Sequence, residues 1–183
     1  MNSRTILVGL TAALLWAAIL PSNAQKGARV MNFKLSSTFF VPGGMIPKQF
    51  TYDGTDLSPA LEWSGAPENT KSFSLIADDP DAPVGTWVHW VLFDLPADAK
   101  ELAEGVPKDE QLPNGARQGR NDFRFIGYGG PCPPQGPAHR YFFKLYALNA
   151  IVNLKAGVSK EEVEKAMAGH VLGQATLMGR YQR

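Results

Sequence analysis

The sequence predicts a mainly β domain with one substantial helix, and three patterns predict it. Apolar and polar residues alternate at strand spacing in several runs, as in Ser72-Phe73-Ser74-Leu75-Ile76-Ala77. Clusters of Gly, Pro, Asn and Asp separate those runs. One stretch, after Ser159, repeats apolar residues at helical spacing. The 183 residues carry 18 basic and 17 acidic side chains with no basic block, so a polyanion-wrapping surface is not indicated and no nucleic acid is expected as partner. Cys132 is the single cysteine, so no internal disulfide is available and the fold must rest on its core.

The chain begins with an export pattern. Arg4 supplies a positive start, Ile6 to Leu20 is an apolar run, Pro21 ends it, and Ser22-Asn23-Ala24 offers the small residues a signal peptidase reads. The run is too short and wrongly flanked for a membrane-spanning helix. Residues 1–24 are therefore read as a cleaved secretory signal, with an uncleaved anchor as the alternative, and residues 25–183 as one domain. The expected location is the periplasm of a Gram-negative bacterium, or otherwise outside the cell.

Residues 25–31 read as a loose leader, and Phe33 to Phe40 as a first strand with Phe33, Leu35 and Ser37 on one face. Turn residues fill the stretch from Pro42-Gly43-Gly44 to Ser58-Pro59. Ala60 to Trp63 reads as a short strand, and Gly65-Ala66-Pro67-Glu68-Asn69 as the turn before a strand that ends at Asp79. Asp79-Pro80-Asp81-Ala82-Pro83 cannot continue that strand, because two prolines fix φ and remove two donors. Thr86 to Leu95 is the clearest central strand: Trp87, His89, Val91 and Phe93 alternate with Val88, Trp90 and Leu92, so both faces are apolar and both need cover. Asp98 to Glu104 reads as a short helix. A Gly/Pro-rich loop, Gly127 to Pro137, then leads into a strand from His139 to Leu148. Ser159 with Glu162 forms a capping box for the helix bearing Val163, Ala166, Met167 and His170. Gly173 is expected to stop it, and Ala175 to Tyr181 to form the last strand.

Two strands thus carry a histidine near their start, after a rigid loop, with an aromatic on the histidine's own face: Trp87 with His89, and Tyr141 with His139. Convergence of Asp79, His89, His139 and Tyr141 would make a pocket walled by Trp87 and the prolines, to which Gly129-Gly130 could offer backbone N–H groups. Each residue also has a plain reading. Asp79 and Asp81 suit a Pro-initiated turn, His89 suits a hydrogen-bonded core position, and Cys132 suits a small packed side chain.

The ordered motifs D-P-D-A-P, W-V-H, G-G-P-C-P-P and H-R-Y resemble the phosphatidylethanolamine-binding protein family, with the bacterial Raf-kinase-inhibitor-like (YbhB/YbcL-type) branch the closer match. The similarity runs from the first strand to Tyr181. The resemblance implies a two-sheet β fold, a large central sheet packed on a smaller one with few helices, and a small pocket for phosphate or a phospho-headgroup. It maps Asp79, Pro83, Trp87, His89, Gly130, Pro131, His139 and Tyr141 onto the family's pocket, with Asp81 and Arg140 as a supporting pair. Three departures stand out. The segment between Pro83 and Trp87 is short, Cys132 adds a residue to the Gly-Pro loop, and the C-terminal end reads as a strand where mammalian members have a helix.

Asp79 in an anion site makes sense if it accepts a histidine N–H and so favours the charged imidazole, whose other nitrogen donates to the phosphate. No cofactor, metal or catalytic residue is implied. The expected partners are a small anion, transient contact with membrane lipids, a protein target and a second copy of the chain. The alternatives are a protein–protein inhibitor acting independently of the pocket and, behind it, a hydrolase using Asp79 and His139 as acid and base. A zinc site lacks ligand spacing, and a serine hydrolase lacks its nucleophile motif.

Overall fold

The computed structural model describes residues 32–183. The expected signal and leader lie outside the described residues. Eight strands and one α-helix follow in order: β1 (Lys34–Ser36), β2 (Leu61–Ser64), β3 (Ser72–Asp79), β4 (Trp87–Pro96), β5 (Glu101–Leu102), β6 (Arg117–Gln118), β7 (His139–Leu148), α1 (Lys160–Met167) and β8 (Val171–Tyr181). They form a three-stranded sheet of order β1-β2-β5 and a five-stranded sheet of order β6-β4-β3-β7-β8. Every strand pairing is antiparallel.

β3 sits in the middle of the larger sheet, and all eight of its residues are buried. Its alternation sorts two faces. Phe73, Leu75 and Ala77 join Trp90, Leu92 and Leu95 of β4, Phe143 and Leu145 of β7, and Leu61, Trp63 and Leu102 of the smaller sheet in the main core. Ile76 points the other way, into a second cluster with Val88, Val91, Phe93, Leu148 and, from α1, Val163 and Met167. The strand read as needing cover on both faces has it: the small sheet on one side, α1 on the other. Each fully buried Leu, Ile or Phe here contributes roughly 1.5–3 kcal/mol of apolar transfer. Among the described residues, no helix is long and apolar enough to cross a membrane.

Several expectations need correction. The first strand is only Lys34–Ser36, because Ser37 turns its hydroxyl to the Ala60 carbonyl and accepts from Phe39 N–H. Asp98 to Glu104 is not helical: a turn closed by Ala99 N–H on the Pro96 carbonyl is followed by β5, which pairs with β2. The capping box at Ser159 and Glu162 is present, but α1 ends at Met167 rather than near Gly173. Gly169 makes the break with φ +80°, and Gly173 pairs with Ala147 inside β8, which starts at Val171. His170 therefore lies beyond the helix, its Nδ1–H donating to Asn149 Oδ1.

Strict alternation in β4 also fails. Ala77 pairs with Trp90 and Asp78 with Val88, which leaves His89 as the extra residue of a bulge. Val88 thereby shares the helix-side core with Val91 and Phe93, while His89 faces Phe123 and Tyr141. Bulges commonly re-aim a side chain near functional sites.

Candidate functional site

The ends of β3, β4 and β7 meet at a pocket of about 210 Å³ lined by Asp79, Ala82, Pro83, Val84, Trp87, His89, Phe123, Cys132, Pro133, Pro134 and His139. Asp79 and His139 reach it because each lies at the pocket end of its strand, in register with the apolar face. His89 reaches it through the bulge.

Asp79 is 3% exposed and uses both oxygens. Its Oδ2 lies 2.8 Å from His139 Nδ1, and its Oδ1 accepts the Asp81 N–H at 2.8 Å. A carboxylate only accepts, so His139 carries its proton on Nδ1 and turns Nε2 away from Asp79. His89 is fixed differently. Its Nδ1 donates to the Gly129 carbonyl at 2.6 Å, and its ring meets Phe123 and Tyr141 edge-on. Burial lowers the His89 pKa below the ordinary histidine value of 6.5, outweighing the nearby Gly129 and Gly130 carbonyls and the Asp79 and Asp122 carboxylates.

Two buried donors stand beside these histidines with no protein acceptor: Trp87 Nε1–H and the Tyr141 hydroxyl. Burial and the neighbouring Asp79 raise the Tyr141 pKa far above 10, so the hydroxyl keeps its proton. Behind the wall, Asp81 holds Arg140 through three contacts: Nε to Oδ2 at 2.9 Å, Nη2 to Oδ1 at 2.7 Å, and the Arg140 N–H to Oδ2 at 2.9 Å. The guanidinium holds the Asp81 pKa at about 2.

Of the residues mapped from the sequence, Asp79, Pro83, Trp87, His89 and His139 line the pocket. Tyr141 sits just behind, its hydroxyl near Asp79 and Cys132. Asp81 and Arg140 form the expected supporting pair. Gly130 and Pro131 do not line it. Gly130 N–H donates to Asp56 Oδ1 at 2.6 Å, the Pro131 carbonyl accepts from Tyr52 N–H, and a Cβ on Gly130 would fall 2.7 Å from the Phe50 carbonyl oxygen. Gly129 N–H is likewise committed, to the His89 carbonyl at 2.9 Å. The glycines let the loop pack against residues 50–56, and the wall is made one step later by Cys132, Pro133 and Pro134. Ala82, Val84 and Phe123 are further lining residues outside the mapped set, and nothing in the sequence pointed to Phe123. It stacks between Tyr52 and Phe125 in a segment with no strand or helix period. Among the described residues, no group of three His, Cys, Asp or Glu side chains is arranged to hold a metal ion.

Fold and pocket together define a two-sheet β protein with a histidine–aspartate site at the strand ends. The family model for the phosphatidylethanolamine-binding protein matches residues 36–182. A UPF0098 protein of the archaeon Methanothermobacter thermautotrophicus is 52% identical over 153 residues, covering 84% of this chain and 99% of that protein. Solved structures are similar as well. The YbcL protein of Escherichia coli, described as a new member of the mammalian PEBP family, superposes with TM-score 0.78 at 34% identity, covering 82% of this chain and 98% of the other. A phosphatidylethanolamine-binding protein homologue of Chlamydia trachomatis gives 0.75 at 39% identity, covering 82% and 97%. The chain belongs to the phosphatidylethanolamine-binding protein family. An archaeal relative at 52% identity also makes a purely bacterial branch too narrow a description.

Proposed function

We propose that this protein binds phosphate, a phospho-headgroup or a similar small anion in the pocket and does not turn it over. One observation carries the reading: Trp87 Nε1–H and the Tyr141 hydroxyl are buried donors without protein acceptors, beside an aspartate-oriented His139. Buried donors normally find a partner, so a pair of them at one pocket points to an acceptor-rich ligand. Asp79 fixes the His139 ring, and protonation makes Nε2 a third, charge-assisted donor. Family membership supports a ligand-binding role in general terms.

Calorimetric titration with inorganic phosphate tests the proposal. His139→Ala and Asp79→Ala should each weaken binding by about 1–3 kcal/mol, the range for losing a hydrogen bond to a charged group. Unchanged affinity in both variants sinks it. Release of phosphate from a phosphomonoester by the wild type, abolished in His139→Ala, would instead make the site catalytic. Export belongs to the same proposal and rests on the pattern of residues 1–24. N-terminal sequencing of protein from a periplasmic fraction should begin at Gln25, and an intact Met1 there would refute cleavage.

A further inference from the structure

The hydrogen-bonding character of His89 sets a demand on the ligand. A carbonyl can only accept, so the 2.6 Å contact with Gly129 places the ring proton on Nδ1. In the neutral ring, Nε2 is then a bare lone pair, and no protein group donates to it. The residue is 3% exposed, and the rings of Phe123 and Tyr141 close its sides at centroid distances of 5.4 and 5.2 Å. The charged groups facing it are already engaged. Asp79 on β3 holds His139 on β7 and the Asp81 N–H, while Asp122, in the loop after β6, accepts the Val88 N–H at 2.7 Å. Burial lowers the His89 pKa from the ordinary 6.5 despite those two carboxylates, which favours the neutral ring over the charged one. The pocket thus presents an acceptor, His89 Nε2, beside the donor Trp87 Nε1–H, with the Tyr141 O–H just behind its lining and His139 Nε2 a donor when that ring is protonated.

We propose that the pocket selects oxyanions carrying their own proton, hydrogen phosphate and singly protonated phosphomonoesters, over anions without one, such as sulfate and phosphodiesters. This rests on the reading of the site as an anion pocket. The ligand P–O–H donates to His89 Nε2, and its unprotonated oxygens accept from Trp87 and Tyr141. A phosphomonoester has its second pKa near about 6 and keeps a proton on a large fraction of molecules around neutrality. Sulfate has none there, and would set its oxygens against the His89 lone pair in a buried site. A phosphodiester, the linkage of a membrane phospholipid, carries negative charge but no P–O–H.

The test is calorimetry of the wild-type protein at pH about 6 with four probes: inorganic phosphate, methyl phosphate, dimethyl phosphate and sulfate. Phosphate and methyl phosphate should bind at least about tenfold more tightly than the other two, the factor expected for one hydrogen bond to a charged group. Equal binding of sulfate or dimethyl phosphate overturns the selection while leaving an anion pocket standing, and dimethyl phosphate binding would point to a diester headgroup. Failure of all four overturns both readings. His89→Gln, whose amide can turn its NH₂ toward the ligand, should narrow the gap between phosphate and sulfate. A folded variant that keeps the full gap overturns the role of His89.

Discussion

Asp79 commits both oxygens inside the protein, one to the His139 ring and one to the backbone of its own loop, so it acts on a ligand only through that histidine. Asp81, two residues on, faces away and clamps Arg140. This division was legible only through the resemblance to the family, which maps Asp79 onto the pocket and Asp81 with Arg140 onto a supporting pair; on their own both aspartates read equally well as turn residues. The acceptor state of His89 was not legible, because it depends on a Gly129 carbonyl brought from forty residues away. Tyr141 gives a clean residue-level test. Its hydroxyl lies close to Asp79 and Cys132 but makes no well-formed protein hydrogen bond, so Tyr141→Phe should leave stability unchanged or raise it by up to about 1 kcal/mol, while weakening phosphate binding by about 1 kcal/mol. Denaturant melts and calorimetry on the same preparation check both halves, and a destabilised variant would mean that the hydroxyl serves the fold. His89 gives a second test. Its folded pKa lies below the 6.5 of a free imidazole, so between those values the unfolded chain binds a proton that the fold refuses. The His89 contribution to stability is therefore complete above about pH 6.5 and declines as pH falls through that window. NMR titration of the ring nitrogens should find a His89 midpoint below the 6.5 of a free imidazole, with the proton of the neutral ring on Nδ1. A midpoint at or above that value contradicts the assignment.

At the scale of elements, β3, β7 and the start of α1 were readable because their signals are local: alternation between turn residues, and a capping box. β5 was not, since its two residues become a strand only by pairing with β2, about forty residues earlier. The His89 bulge escaped for a similar reason, because an alternation count assumes one residue against one. What fastens α1 to the sheet was also invisible. Asp78, whose side chain is fully buried, meets Lys144 of β7 and Lys160 of α1, each at 2.8 Å. Lys144 Nζ straddles both carboxylate oxygens and donates to Oδ2, so the carboxylate keeps a partner if Lys160 is lost. Lys160→Met or Lys144→Met alone should therefore cost little, about 1 kcal/mol each. The double variant strands a buried carboxylate and should cost about 3–5 kcal/mol, well beyond the sum. Urea denaturation of the three variants measures the coupling. A strictly additive double variant would show that the lysines act independently.

For the whole molecule, the pocket lies where three strands of one sheet end, so its geometry depends on layers that never touch a ligand. The five-stranded sheet is the middle layer, with the small sheet on its main-core face and α1 on the other. Because β3 and β4 contribute to both clusters, neither cluster can dissolve without exposing strands that support the other. The protein should therefore unfold as one cooperative unit, with damage to either layer felt across the whole. Met167→Ala, in the helix-side cluster, should cost about 2–4 kcal/mol, and Phe73→Ala, in the main core, about 3–5 kcal/mol. Both should lower the urea midpoint while leaving the slope of ΔG against urea unchanged. Tryptophan fluorescence, which reports through Trp63 and Trp90 of the main core, should trace the same transition as far-ultraviolet circular dichroism. If Met167→Ala instead splits the transition, with circular dichroism falling before fluorescence, α1 and its cluster form a separate unit. The sheet that carries Asp79, His89 and His139 would then hold the pocket without the helix.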